Sequence, residues 1–295
     1  MAILRKRKIG KKHYYYIEHK YKVNNRVKTL SKYVGMEKPE NIEELKKEIE
    51  FKAMRRVWKE PLIKIKNAYS KEQKDLPKPA KIKNVEAFMV DFIFNSDKIE
   101  GSKLTYRDTA DLLVHGETPR NKPINDVKEA EGHKKAFYDM LDFKGKLNLK
   151  KVLEWHKMIF ENSKPNIAGK VRLHKIMVTG SRVSFPHPES LNGLLKDFFL
   201  WCFKNKDSYN PVEFSALVHL KFVTIHPFTD GNGRISRLLA NYVLNRNNYP
   251  LFNVKFGDRR AYYSNLEHSQ LWGDEKHFIR FFVKKYVSMN KDYLK

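Results

Sequence analysis

The sequence predicts a mainly α fold with two short β-hairpins. Three observations carry this expectation: apolar residues recur at helical spacing in nine stretches from residue 84 on, Tyr/Val-rich or β-branched runs gather in only two places, and Leu76-Pro77-Lys78-Pro79 interrupts the chain. The runs His13 to Ile17 and Arg26 to Tyr33 flank Asn24-Asn25, a pair suited to a hairpin turn. From 41 to about 67 the spacing of Ile42, Leu45, Ile49, Ala53 and Val57 is helical, with Asn41 placed to cap and Glu43 and Glu44 in the first turn. Pro-Lys-Pro favours extended backbone, so a domain boundary is expected near 80, separating a small hairpin-plus-helix appendage (1–80) from a larger domain (81–295). Helices are then expected at 84–100, 105–114, 126–141, 149–160, 190–204, 211–225, 233–246, 259–269 and 275–289. Between them, residues 175–185 place β-branched side chains on either side of Gly180-Ser181 and read as a hairpin standing out from the helical body.

Composition narrows the setting. A 41% apolar content with 13% aromatics argues for a packed core rather than disorder. The lone Cys202 rules out an internal disulfide and a cysteine zinc cluster, so a reducing compartment, the cytoplasm, is expected. No apolar run approaches the roughly 18 residues of a membrane helix, and the N-terminus leads into Tyr14-Tyr15-Tyr16 rather than a signal-peptide core, so a soluble, unprocessed chain with no membrane partner is expected. The net charge of +25 is uneven: residues 1–83 carry 25 Lys/Arg against 10 Asp/Glu, and residues 84–295 carry 34 against 24. Nucleic acid could be tracked by such a patch, but Lys outnumbers Arg 44 to 15, which favours a solvated lysine-rich surface.

One segment carries chemistry. Asn210-Pro211 opens a helix in which Phe214, Ala216, Leu217, Val218, Leu220, Phe222 and Val223 leave almost no polar face, the pattern of a central buried helix. It delivers His226 to its C-terminal end. Asp230-Gly231-Asn232-Gly233 follows, where two glycines let backbone N–H groups turn toward an anion beside the next helix N-terminus. Arg234 and Arg237, three apart, both reach the space above that first turn, and Asp230 is the one carboxylate among them, a usual anchor for Mg²⁺.

The string His226-Pro227-Phe228-Thr229-Asp230-Gly231-Asn232-Gly233-Arg234-Ile235-Ser236-Arg237 resembles the signature of the Fic family at every defining position. The resemblance extends to Gly169-Lys170-Val171-Arg172, to Phe185-Pro186-His187-Pro188 and to Tyr262-Tyr263-Ser264-Asn265-Leu266, covering roughly residues 84–290. It implies a Fic-type helical domain that transfers AMP from ATP to a hydroxyl of a target protein, the chain itself included. His226 would be the base, Asp230 would hold Mg²⁺ on the phosphates, Gly231, Asn232 and Gly233 would cradle them, and Arg234 and Arg237 would hold the polyphosphate end. The hairpin carrying Ile176, Met177, Val178 and Val183 resembles the family's flap, which pairs with an extended target segment. Tyr262 and Tyr263 resemble positions near the base, and two aromatics on a helix fit a core equally well.

Upstream, Val85, Phe88, Met89, Phe92, Ser96 and Ile99 form a helical stripe that continues onto Glu100, and a carboxylate there calls for a cationic partner. Ser96-Asp97-Lys98-Ile99-Glu100-Gly101 resembles the family's inhibitory motif, which implies that Glu100 pairs with Arg237 and silences the enzyme. His115, His133, His156, His174, His187 and His219 lack metal-ligand spacing and are expected to be structural or exposed. Two further readings remain open: removal of AMP from a modified protein by the same site, and a nucleic-acid-associated regulator acting through residues 1–83, which no helix-turn-helix pattern favours. A homo-oligomer is allowed.

Overall fold

The computed structural model describes residues 1–23 and 25–295. The chain divides into two compact units, Met1–Asn67 with Asp292–Lys295 and Ala68–Lys291. This division falls inside a long helix, with Asn67 ten residues before Pro77 and twelve before Pro79.

In the first unit, β1 (Ile3–Ile9), β2 (Lys12–Val23) and β3 (Arg26–Gly35) form an antiparallel sheet in the order β1-β2-β3. The expected hairpin is therefore the β2–β3 half of a larger sheet. Strand β1 reads Ile-Leu-Arg-Lys-Arg-Lys-Ile, whose charges mask its alternation, and it joins β2 through Gly10-Lys11 with Gly10 at φ +59°. In the β2–β3 turn Asn25 sits at φ 60°, whereas Asn24 lies outside the described residues. Ala2, Ile17 and Ile49 make a small core between the sheet and α1 (Ile42–Asp75). Helix α1 runs past the expected end at 67 because Ser70 to Asp75 contain no breaker; the stop comes at Pro77.

The second unit is helical: α2 (Lys78–Ile99), α3 (Tyr106–Ala110) continuing into a π turn at Asp111–His115, α4 (Ile124–Asp142), α5 (Leu149–Phe160), α6 (Leu191–Asn205), α7 (Pro211–Ile225), α8 (Asn232–Arg246), α9 (Arg259–Trp272) and α10 (Glu275–Met289). Phe92, Phe137, Trp155, Phe160, Phe222 and Phe228 are fully buried in its core. Helix α7 is capped as its sequence predicts: the Asn210 side chain accepts the Val212 N–H at 2.9 Å and Pro211 opens the helix. It buries residues on every side, Glu213 and His219 included, and packs against α8 and α10. No helix among the described residues is long and apolar enough to cross a membrane.

The expected hairpin at 175–185 needs correction. Its turn is present, with the Ser181 N–H donated to the Val178 carbonyl at 3.0 Å and Gly180 at φ +82°, but the flanking residues form no strand. A two-stranded ribbon with no face to pack on is marginal alone, and here Met177 is 96% exposed. The Arg182 N–H and guanidinium both donate to Glu267 on α9, at 2.9 and 3.4 Å, and tie the segment down.

Candidate active site

The site is the reversal between α7 and α8. His226 caps α7 in the left-handed conformation (φ 52°, ψ 57°), an uncommon state for a residue with a Cβ, and thereby turns the chain out of the buried helix. The Asn232 side chain braces the loop by accepting the Phe228 N–H at 2.8 Å and donating to the Phe228 carbonyl at 2.7 Å. This corrects the expected role of the Asn232 side chain: its amide is committed to the loop backbone and is buried, which leaves its backbone N–H, in the first turn of α8, as the group that could meet an anion. His156 stacks on Phe228 with ring centroids 3.8 Å apart, accepts the Gly169 N–H at 2.9 Å and donates to the Asp230 carbonyl at 3.0 Å. At Gly231 (φ +83°) a Cβ would collide with the Phe160 ring, so the turn admits only glycine.

His226 donates from Nδ1 to the Val223 carbonyl at 3.1 Å, which leaves the Nε2 lone pair as its basic site. Burial, reinforced by the nearby Arg172 cation, lowers its pKa to about 4, so the ring is neutral at physiological pH. Arg172 is itself a clamp: Nε donates to the His226 carbonyl at 2.8 Å, and its Nη atoms donate to the carbonyls of His174 and Pro186 at 2.8 and 2.7 Å. Burial also takes His156 to about 4. A depressed folded pKa means that stability is complete above the unfolded value near 6.5 and is lost as pH falls toward the folded value. Each histidine should therefore remove about 2 kcal/mol of stability by pH 5. Thermal unfolding followed from pH 7.5 to 4.5 should show this fall, and His226→Ala should make it shallower.

Charged groups beside the loop form two clusters. In the first, the Lys164 ammonium bridges Asp230 Oδ2 at 2.6 Å and Glu129 Oε1 at 3.0 Å, while the buried Arg234 pairs with Glu129 and lies 3.3 Å from Asp230 Oδ1. Burial alone would raise the Asp230 pKa, but Arg234, Lys164 and the Gly231 N–H outweigh it and hold the carboxyl below its usual value. Asp230 is 38% exposed, and no group of three His, Cys, Asp or Glu among the described residues could hold a metal. One accessible carboxylate suits Mg²⁺ that takes its remaining ligands from water and substrate phosphates. Lys164 and Glu129 carry no mark in the sequence, because they lie 66 and 101 residues before Asp230 with no local pattern around them.

In the second cluster, Arg237 is 2% exposed and makes four hydrogen bonds. Nε donates to Ser96 Oγ at 2.9 Å, Nη2 to the Ser96 carbonyl at 3.1 Å and to Glu100 Oε1 at 2.6 Å, and Nη1 to the Tyr262 hydroxyl at 3.3 Å. The expected partner of Glu100 is present, but its setting differs from the buried stripe the spacing implied: Glu100 ends α2 in the open, and only its side chain, 25% exposed, folds onto Arg237. A Cβ on Gly233 would collide with the Glu100 carboxylate, so this approach depends on glycine. Tyr262 belongs to the core rather than to a base pocket: it is 1% exposed, and its hydroxyl sits between Arg237 and His219 Nε2, the latter at 2.8 Å. Tyr263 is partly exposed and carries the Arg259 guanidinium over its ring at 5.0 Å.

Residues 146–244 match the profile of the Fic/DOC family. The chain is 32% identical over 197 residues to "Protein adenylyltransferase Fic" of Nematostella vectensis, covering 65% of this chain and 45% of the relative. With the Drosophila virilis protein of that name it shares 35% over 193 residues, covering 64% and 39%. The chain thus spans less than half the length of these curated relatives. Among solved structures, a Fic domain containing signaling protein from Bacteroides thetaiotaomicron superposes with a TM-score of 0.70 at 28% identity, covering 79% of this chain and 96% of that one. Fic-1 (aa134–508) from C. elegans superposes with a TM-score of 0.72 at 25% identity, covering 87% and 77%. By sequence and by fold, this chain carries a domain of the Fic/DOC family.

Proposed function

We propose that this chain is a protein adenylyltransferase that moves AMP from ATP to a Ser, Thr or Tyr hydroxyl of a target protein, the chain itself included, and that Glu100 restrains it. The observation that carries the reading is a neutral imidazole, with its Nε2 lone pair available, at the entrance to a glycine-turned helix N-terminus. An alcohol is a weak nucleophile at neutral pH, and a half-buried histidine that is already neutral can accept its proton as the oxygen bonds to the α-phosphorus. Pyrophosphate leaves as that bond forms. The backbone N–H groups of Asn232, Gly233 and Arg234 occupy the first turn of α8, where helix geometry provides no intrahelical acceptor, and can receive phosphate oxygens. Mg²⁺, when bound, would be held by Asp230 and would neutralise phosphate charge. Lys164 must release Asp230 for this, and its exposed ammonium can follow the phosphates instead. The segment with Ile176, Met177, Val178 and Val183 would bind an extended stretch of target, which supplies the strand this ribbon lacks. The relatives named as adenylyltransferases support the same chemistry.

Incubating the Glu100→Gly protein with each of the four nucleoside triphosphates and Mg²⁺, and reading its intact mass, tests this. Addition of AMP from ATP is expected. Addition of a different nucleotide, or of phosphate, would assign another reaction. In the same assay Asp230→Ala should lower incorporation on the order of 100-fold and remove its dependence on Mg²⁺.

A further inference from the structure

We infer that the outer face of the N-terminal sheet is a docking surface for duplex DNA. The inference does not depend on the adenylyltransferase reading. Residues 1–35 hold eleven Lys/Arg and a single carboxylate, Glu18. Strand alternation divides the sheet into two faces. Ile17 turns inward with Ala2 toward Ile49, so Tyr14, Tyr16, Glu18, Lys20 and Lys22 of β2 turn outward. The register sets Arg7 opposite Tyr14, Arg5 and Tyr33 on either side of Tyr16, Ser31 beside Glu18 and Thr29 beside Lys20.

The one acid on this face is occupied. Glu18 accepts from Arg5 Nε at 2.9 Å and from Arg7, and the Arg7 guanidinium also lies 4.8 Å above the Tyr16 ring. Both arginines remain half exposed, so they stand as a braced fork rather than as floppy cations. Tyr14 and Tyr16 pack against Tyr33 at 6.0 and 5.4 Å, tilted rather than open for stacking, while the exposed Ser31 and Thr29 present hydroxyls along the next rows. Rings that cover one another and lie under a guanidinium are poor platforms for unpaired bases, which argues against single strands. The β1–β2 pair, which carries Arg5, Arg7, Lys20 and Lys22, makes a two-stranded ribbon about 10 Å wide at a strand spacing of about 4.8 Å, which the major groove of B-form DNA, about 12 Å wide, admits. The deep, narrow major groove of A-form RNA does not. Lys20 and Lys22 lie toward the far end of the ribbon from Arg7, where phosphates flank such a groove.

Fluorescence anisotropy of the full chain with a labelled duplex of about 20 base pairs, across a salt series, tests the inference. Binding should weaken steeply with salt. Lys20→Glu combined with Lys22→Glu should lower affinity at least about 10-fold near 0.1 M salt and reduce the slope of log K against log salt by about 2. Both lysines are exposed, and an unchanged unfolding midpoint would show that the sheet persists. A charge-matched pair on the second unit, Lys196→Glu with Lys284→Glu, should change affinity less than about 2-fold. Equal losses from the two pairs, tighter binding of an A-form RNA duplex, binding to phosphatidylserine vesicles but not to duplex, or no binding at all would each overturn the inference.

Discussion

Glu100→Gly should raise AMP incorporation on the order of 100-fold over the wild-type chain. The reason is competition for one cation. Arg237 Nη2 donates to Glu100 at 2.6 Å, and Ser96 and Tyr262 take three more of the five guanidinium N–H groups, so the carboxylate occupies the charge and most of the donors a γ-phosphate would need while it is in place. A polyphosphate deprived of that anchor loses the in-line geometry that attack at the α-phosphorus requires, and small misplacements of a reacting group are expensive in rate. Burial alone would lower the Arg237 pKa, yet Tyr262 and Glu100 keep it raised, so the site keeps its charge whether the anion beside it is Glu100 or phosphate. Removing the carboxylate should destabilise the fold by only about 1–3 kcal/mol, because Glu100 is partly exposed and Ser96 and Tyr262 still satisfy the buried guanidinium. Calorimetry offers a second check: wild type should bind ATP and ADP alike, and Glu100→Gly should favour ATP. An unchanged preference would separate Glu100 from the γ-phosphate.

His226→Ala, introduced into the Glu100→Gly background, should lower transfer by about 10²- to 10⁴-fold while leaving ATP affinity within about 2-fold. The substitution removes the base and keeps the α8 N-terminus, Gly231 and Gly233. The pH dependence carries a sign: because His226 titrates near 4, the base is already free at pH 6, and transfer should show no acid limb from His226 above about pH 5. A limb centred near 6.5 would mean that the imidazole is solvated in the working complex. Loss of nucleotide binding on His226→Ala would instead give the histidine a structural role, as anchor of the left-handed turn it makes.

The loop was legible in the sequence because its determinants are local: a helix apolar on all sides, a cap, two glycines and paired arginines within a few turns. For Glu100 the helical spacing calls for a cationic partner, but only the resemblance names Arg237, and the spacing misplaces the carboxylate on a buried face. The stripe of α2 ends at Ile99, and the carboxylate reaches Arg237 from an exposed helix end, past a glycine that makes room for it. Lys164 and Glu129 are invisible in the sequence, and Arg172 stands there only within the resembling Gly169-Lys170-Val171-Arg172 with no role attached, because their meaning is purely tertiary: each is an ordinary charged residue until the fold sets it against Asp230, Arg234 or the His226 carbonyl. Asn232 and Tyr262 fit the pattern for nucleotide contact, yet the structure turns both toward the protein, one to brace the loop and one to bridge His219 and Arg237. Strand β1 was hidden for a different reason, since four cations in seven residues obscure the alternation that strand reading relies on.

The most direct test of the central claim, that an AMP-transfer site built on His226 is held silent by Glu100, is a single comparison. Wild type, Glu100→Gly and Glu100→Gly/His226→Ala are incubated with ATP and Mg²⁺ under identical conditions, and the AMP added to the chain or to a co-incubated protein extract is quantified. Low, high and no incorporation are expected, in that order. A folded Glu100→Gly protein that binds ATP and transfers no more AMP than wild type, or a double variant as active as Glu100→Gly, would contradict it.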